Sequence, residues 1–386
     1  MMRYQGQTVL VTGATGFIAG RLAERLVVEE GAHVRVLVRN WSNAAWLSRV
    51  RVEFVEGDVT RPESLARAFA GCSRIFHCAS GGRSYDEYMT TNVEGTRNML
   101  EAAELERVAR FVYISSIAVH GAKLPDVVDE TTPFALTGRG YSDSKVEAEK
   151  LIWKFSEERR FPVVVVRPTY VWGPRAGQFT VGPVNSIANN ALRLIDEGAP
   201  NCPAVFVDNL VDLLMQAGAK EQAVGEAFLA TDGQAYSWRD FFEAYRDIVG
   251  AGEFRSLSSR SPIVRFSARS IEHLDRVLEA LSPNPAPLWR KVVRRSARIA
   301  RAQLTARGIP TAWYLNLFSN RSRINTDKAK RLLGHTPRFT LQSGMAATET
   351  WLKDQFGWQL GLSGDMPCNC GRVGQPVTSG CKEGVR

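Results

Sequence analysis

The chain has 386 residues, 44% hydrophobic and 23% charged, enough to bury a full core in one large α/β domain with a smaller companion, or in two modest domains. No apolar run reaches the ~18 residues of a membrane span, residues 1–7 hold no apolar signal core, and six scattered cysteines make no disulfide framework, so the expectation is a cytoplasmic protein. The net charge of +9 is concentrated: between Arg255 and Arg307, eleven Arg and one Lys stand against Glu272, Asp275 and Glu279.

The chain opens on T-V-L-V-T-G-A-T-G-F-I-A-G, Thr8 to Gly20. Thr8 to Val11 reads as a buried strand, Gly13 and Gly16 as a tight turn, and the apolar spacing of Leu22, Leu26 and Val27 as a helix. Such a strand–turn–helix is an anion site. The amides of the helix N-terminus point outward, the dipole favours negative charge, and glycine lets a diphosphate approach the backbone. The G-x-x-G-x-x-A spacing resembles the T-G-x-x-G-x-x-G fingerprint of the extended short-chain dehydrogenase/reductase family. The resemblance implies that Gly13, Thr15, Gly16, Phe17 and Ile18 meet a dinucleotide. Ala19 stands where the third glycine is usual, with Gly20 one place late; that position serves close helix–strand packing, so alanine affects fit rather than function.

His33 to Arg39 reads as the second strand, closing on Arg39 beside the expected adenosine ribose. A carboxylate there would bond a 2′-hydroxyl, whereas a guanidinium suits a 2′-phosphate, so NADP(H) is favoured over NAD(H). The plain alternative is a solvated strand-end arginine. Val52 to Val59 reads as the third strand, and the resemblance sets Asp58, with Val59, against the adenine. Arg74 to Ser80 reads as the fourth, after which Ala79 and Ser80 pass beneath the cofactor in relatives. His77 and Cys78 read as ordinary strand residues, with no partner at metal-ligand spacing; no metal site is expected. Asn92 to Asn98 matches the family's N-V-x-G-T-x-N, a mostly structural motif near the active site.

Phe111 to Ser116 reads as a strand ending in two serines, and a helix opens at Tyr141. Tyr141 and Lys145 are four residues apart, so they share one helix face and one pocket. Proton movement at a carbinol oxygen must accompany hydride transfer at its carbon. A free phenol titrates near ~10, too high for a base at neutral pH, and a neighbouring ammonium lowers it. A serine hydroxyl can then hold the substrate oxygen and stabilise developing charge. The resemblance maps the catalytic serine onto Ser116 rather than Ser115, the acid/base onto Tyr141 and its partner onto Lys145, the latter two also touching the cofactor.

Phe161 to Pro168 reads as a sixth strand, buried on both faces by unbroken valines. The following R-P-T-Y-V-W-G-P resembles the family's R-P-x-x-V-Y-G-P, which brings Pro168 and Val171 to the nicotinamide carboxamide. Val205–Asn209 and Asn325–Pro337 resemble later family motifs, so the likeness spans residues 8–220 and 320–353, approximately. The expected fold is a Rossmann-like, doubly wound parallel α/β sheet with a small, mostly helical C-terminal substrate lobe. Residues 1–175 form the nucleotide domain, with 204–232 returning to the sheet through strand pieces near Ala204 and Ala227. Residues 176–203 and 233–360 form the lobe. The tail, 361–386, reads as disordered, its Cys368, Cys370 and Cys381 being a poor metal set.

The basic segment, with helices over Ile271–Leu281 and Lys291–Leu304, reads first as a solvated face. The alternative is a cap whose arginines face an acidic substrate or a membrane surface; peripheral membrane contact is not favoured, and nucleic acid is not expected for want of a binding motif. The favoured function is an NAD(P)-dependent oxidoreductase of a secondary alcohol or ketone, resembling the 3β-hydroxysteroid dehydrogenase and dihydroflavonol reductase branch. A nucleotide-sugar epimerase is the alternative. Ile117 and Ala118 follow Ser116 where sugar-nucleotide dehydratases place an Asp-Glu pair, and Tyr170 stands where many sugar-nucleotide enzymes carry Asn. A non-catalytic NADP-binding redox sensor is a further alternative, set against the presence of Tyr141 and Lys145. The resemblance also implies a homodimer through the helix carrying Tyr141.

Overall fold

Seven strands build the main sheet: β1 (Thr8–Thr12), β2 (His33–Val38), β3 (Glu53–Glu56), β4 (Arg74–His77), β5 (Arg110–Ile114), β6 (Val163–Pro168) and β7 (Glu226–Ala230). All pair in parallel, in the order β7-β6-β5-β4-β1-β2-β3. The order reverses between β1 and β4, which opens a crevice at the carboxyl ends of the strands. The computed structural model describes residues 3–41, 44–280, 292–293, 295–297, 299–300 and 310–356.

The strands are apolar at successive positions because both sheet faces are covered. Val9 and Val11 of β1 enter one core with Leu22 and Leu26 of α1 (Phe17–Val28) and Leu210 and Leu214 of α4 (Val207–Ala219). Leu10 enters the other, with Met99 and Leu100 of α2 (Gly95–Leu105) and Ile152 of α3 (Gly140–Arg159). Charge also joins α1 to α4. Arg21 meets Asp208 at 2.7 Å, Arg25 meets Asp212 at 2.7 Å, and Arg338 closes on Asp212 at 2.7 Å.

The strand expected near Ala227 joins the sheet as β7. The piece at Ala204 does not: Ala204–Phe206 pairs with Tyr170–Trp172 in a separate two-stranded ribbon. Within the main sheet β6 already lies between β5 and β7, and the ribbon forms on the chain that leaves it. Beyond the ribbon lies a mostly helical region. It comprises α5 (Trp238–Val249), opened by a Ser237–Asp240 capping box, α6 (Pro262–Ala280), α7 (Ala312–Ser319) and α8 (Leu341–Phe356). Trp172, Trp238, Phe241, Phe242 and Phe318 interlock at its centre. The helix expected from Ile271 begins earlier, at Pro262, because its apolar inner positions extend back through Ala268 and Val264. Half of Lys291–Leu304, and the whole tail 361–386 with its cysteines, lie outside the described residues. Among the described residues no helix is long and apolar enough to cross a membrane.

Candidate active site

The chain turns from β1 into α1 over a loop that needs its glycines. Gly13 has φ +71°, and a Cβ there would lie 2.9 Å from the Ala79 nitrogen; the Gly16 amide donates to the Gly13 carbonyl at 2.8 Å. Gly16 is the N-cap of α1, with no described side chain capping it and no acid in the first turn. The free amides and the dipole therefore face the loop, the arrangement a diphosphate requires. Thr12 fixes the neighbouring strand end: its Oγ1 accepts from the Cys78 and Ala79 amides at 3.2 and 3.1 Å and pairs with His77 Nδ1 at 2.8 Å. His77 is buried and pushed down to about 3 by desolvation, a structural strand residue. Gly20 takes over the close packing expected of the third glycine. A Cβ there would run into the Trp46 ring and stand 2.8 Å from the Ala14 carbonyl oxygen. The Trp46 indole N–H donates to the Thr15 carbonyl at 3.4 Å, and the Arg175 guanidinium stacks 3.3 Å above the ring.

On the other side of the loop, Arg39 follows β2 and is 71% exposed, its guanidinium 4.0 Å from the Asp58 carboxylate. Asp58 also accepts from the amide and hydroxyl of Thr60, both at 2.9 Å. Val59 is buried under Gly95, and its carbonyl accepts from Asn98 at 2.9 Å. The Asn92–Asn98 motif thus braces this side. Asn92 continues the bracing by donating to Ser144 at 2.8 Å and accepting from the Gly81 amide at 3.2 Å.

A cleft of about 1230 Å³ lies at the crevice. Ser116, Tyr141 and Lys145 line it together with Phe17, Ile18, Ser80, Pro168 and Val171. Gly13, Thr15, Gly16 and Ala79 lie at the loop beside it, and Arg39, Asp58 and Val59 at the ends of β2 and β3, outside the cleft wall. The far wall sets Leu124, Tyr170, Phe179, Leu278, Trp313 and Leu317 among polar Gln178, Asp275, Asn316 and Asn320, and is crossed by an Arg139–Glu272 ion pair at 2.7 Å.

Tyr141 stands in the first turn of α3, 39% exposed to the cleft, with the Tyr88 ring edge-on at 6.0 Å. Asp143 fixes where that helix begins by accepting from the amides of Thr137 at 2.7 Å and Gly138 at 2.9 Å. Lys145 is buried. Its Nζ donates to the Ile114 carbonyl at 2.7 Å and to the Tyr113 hydroxyl at 3.2 Å, leaving one N–H for a bound molecule, and desolvation pushes it down to about 8. The Tyr141 phenol and the Lys145 ammonium have separate surroundings. Burial raises the phenol above its ordinary value, the Ser116 hydroxyl opposes that rise by hydrogen bonding, and the ammonium is turned toward Tyr113 and Ile114.

The paired serines differ. Ser115 is bonded to Glu149, which is fully buried and held by Arg167 at 2.7 Å. The Ser116 hydroxyl accepts from the Ala118 amide at 3.2 Å and faces the Tyr141 hydroxyl. Sequence reasoning missed Tyr113, Asp143 and the Trp46–Arg175 stack. For Tyr113 a signal existed: a phenol among Phe111, Val112 and Ile114 of a buried strand needs a polar partner. The basic segment does reach the cleft through α6, with Glu272, Asp275 and Leu278 and, among the described residues, none of its arginines.

The profile of the NAD dependent epimerase/dehydratase family matches residues 9–230. A 4-hydroxy-2-methyl-3-oxo-4-farnesyl-3,4-dihydroquinoline-1-oxide ketoreductase of Stigmatella aurantiaca is 30% identical over 87% of this chain and 94% of its own. A 3-beta-hydroxysteroid dehydrogenase of Mycolicibacterium neoaurum is 28% identical over 90% of this chain and 92% of its own. The solved UDP-glucose 4-epimerase of Thermotoga maritima, with UDP-glucose, superposes with a TM-score of 0.67 at 20% identity, over 90% of this chain and 99% of that one, a likeness of fold.

Proposed function

Because this chain belongs to the NAD dependent epimerase/dehydratase family, we propose that it is an NAD(P)-dependent oxidoreductase acting on a secondary alcohol or ketone, of the 3β-hydroxysteroid dehydrogenase-like kind. The observation that carries the reading is the meeting of Ser116, Tyr141 and Lys145 around one cleft with Phe17, Ile18, Ser80, Pro168 and Val171. A nicotinamide dinucleotide, when bound, supplies or accepts the hydride.

The residues divide the remaining work. Gly13, Thr15 and Gly16 would hold the diphosphate on the uncapped end of α1, with Arg175 beside it as a counter-charge stacked on Trp46. Ala79 and Ser80 would underlie the nicotinamide half, and Asp58 and Val59 the adenine. Arg39 would take a 2′-phosphate, and its exposed, weakly paired guanidinium supports NADP(H) over NAD(H). The spare N–H of Lys145 would bind a ribose hydroxyl. Tyr141 would give a proton to a ketone oxygen, while the Ser116 hydroxyl would orient that oxygen.

The Tyr170, Phe179, Leu278, Trp313 and Leu317 side chains on the far wall support a bulky substrate with an apolar part, in line with the prenylated and steroid compounds in the two relatives' names. A cytoplasmic location belongs to the same proposal, supported by the free thiols of Cys72, Cys78 and Cys202, as does, by resemblance alone, a homodimer through α3. Tyr141→Phe tests the reading. Nucleotide affinity should stay within a few-fold while turnover of an apolar ketone falls by about 10²–10⁴. Retained turnover would exclude Tyr141 as the proton donor, and activity on UDP-sugars but on no ketone would favour the epimerase.

A further inference from the structure

We propose that the outer face of α6 seats this protein on an anionic lipid surface. The helix sorts its residues by side. Its described acids, Glu272 and Asp275, both turn inward to line the cleft, and Ala268 and Ile271 are fully buried beneath it. The outward side carries Ile263, 78% exposed, and Phe266, 74% exposed, one turn apart. Arg260, Arg265 and Arg269 are exposed beside them.

Isolated exposed apolar residues are ordinary on any surface. Here an aromatic and a branched aliphatic share one face with arginines and no described acid. That is the composition of a helix lying in a membrane interface: apolar side chains enter the acyl boundary while cations meet the headgroups. The same composition recurs downstream, where Val292, Val293 and Ile299 are exposed along with Arg295. By sequence the whole net charge of the chain falls between Arg255 and Arg307, which favours an anionic partner for this part of the chain. The opposite side of the same helix walls the cleft, and Arg139–Glu272 ties it to the start of α3. Seating α6 on lipid therefore brings the cleft to the bilayer edge, where apolar molecules are dissolved.

The test uses the full chain and does not depend on the oxidoreductase reading. Protein is cosedimented with vesicles of phosphatidylcholine alone, or with about one-third phosphatidylglycerol. Binding should be about tenfold or more stronger on the anionic vesicles and should disappear in high salt. Ile263→Ser/Phe266→Ser and, separately, Arg265→Glu/Arg269→Glu should each fall to the level of neutral vesicles. Unchanged Tm and nucleotide binding in both variants would show that they are folded. Equal binding to both vesicle types, binding to neither, or undiminished binding of the serine pair would overturn the proposal. So would a dimer that the serine pair dissociates, without vesicle binding by the parent protein, since the face would then serve a second copy.

Discussion

Replacing Lys145 with methionine should change how stability varies with pH, and the magnitude follows from burial. The ammonium sits among Tyr113, Ile114 and the core of the sheet, and desolvation pushes it from 10.5 down to about 8. At about 1.4 kcal/mol per tenfold change in proton affinity, this corresponds to roughly 3 kcal/mol. The sign follows from proton counts. Between pH 8 and 10.5 the unfolded chain keeps the proton that the folded chain has released, so unfolding takes up protons and stability rises with pH. Below pH 8 both states carry the charge, and the folded protein bears the full penalty. Urea unfolding of the protein without cofactor, measured from pH 7 to 10, should show the parent gaining up to about 3 kcal/mol relative to Lys145→Met. At pH 7 the variant should lie near the parent or slightly above it, because the freed Tyr113 hydroxyl and Ile114 carbonyl offset part of the relief, by about 1–3 kcal/mol. A difference that stays flat across this range, or that favours the variant increasingly at high pH, would refute the argument.

The two serines should separate cleanly. Ser116→Ala should lower kcat by about 10²–10³ with little change in Tm, whereas Ser115→Ala, which strips a partner from buried Glu149, should cost about 1–2 kcal/mol of stability and leave kcat near the parent value. The reverse pattern would transfer the substrate contact to Ser115. Arg39→Asp should weaken NADPH binding by about tenfold or more, relative to NADH, by fluorescence titration. A parent protein that binds both nucleotides equally would remove Arg39 from that role. Gly20→Ala should lose about 1–3 kcal/mol, less in a Trp46→Ala background, because its Cβ meets the indole; calorimetry of the four proteins reads this directly.

The fold was legible because both faces of the sheet are buried. Apolar strands such as Val163–Val166 can be read without knowing their neighbours. The ribbon of Ala204–Phe206 was not legible, since three apolar residues say nothing about which edge is open. At the site, Ser116, Tyr141 and Lys145 could be named from spacing because a helix puts i and i+4 on one side. What spacing could not show was the direction of the Lys145 amine, which is decided by Tyr113 on another strand. Nor could it show the substitution of Trp46 for a strand at Gly20, a contact across 26 residues that depends on the loop after β2. Likewise, the arginine-rich composition around α6 hid the fact that its acids Glu272 and Asp275 reach the cleft.

The junction of Arg25, Asp212 and Arg338 bears on recombination among relatives. Position 338 lies far along the chain, yet it closes a charge cluster on the helix whose first turn continues the glycine loop. A chimera that imports the C-terminal third from another protein, without a cation at this place, leaves Asp212 with Arg25 as its remaining ion-pair partner and slackens the seat of α1. Crossovers meant to exchange selectivity should therefore rejoin the parental chain before Arg338, and libraries that ignore this will sort for survivors with repaired nucleotide binding before they sort for anything else.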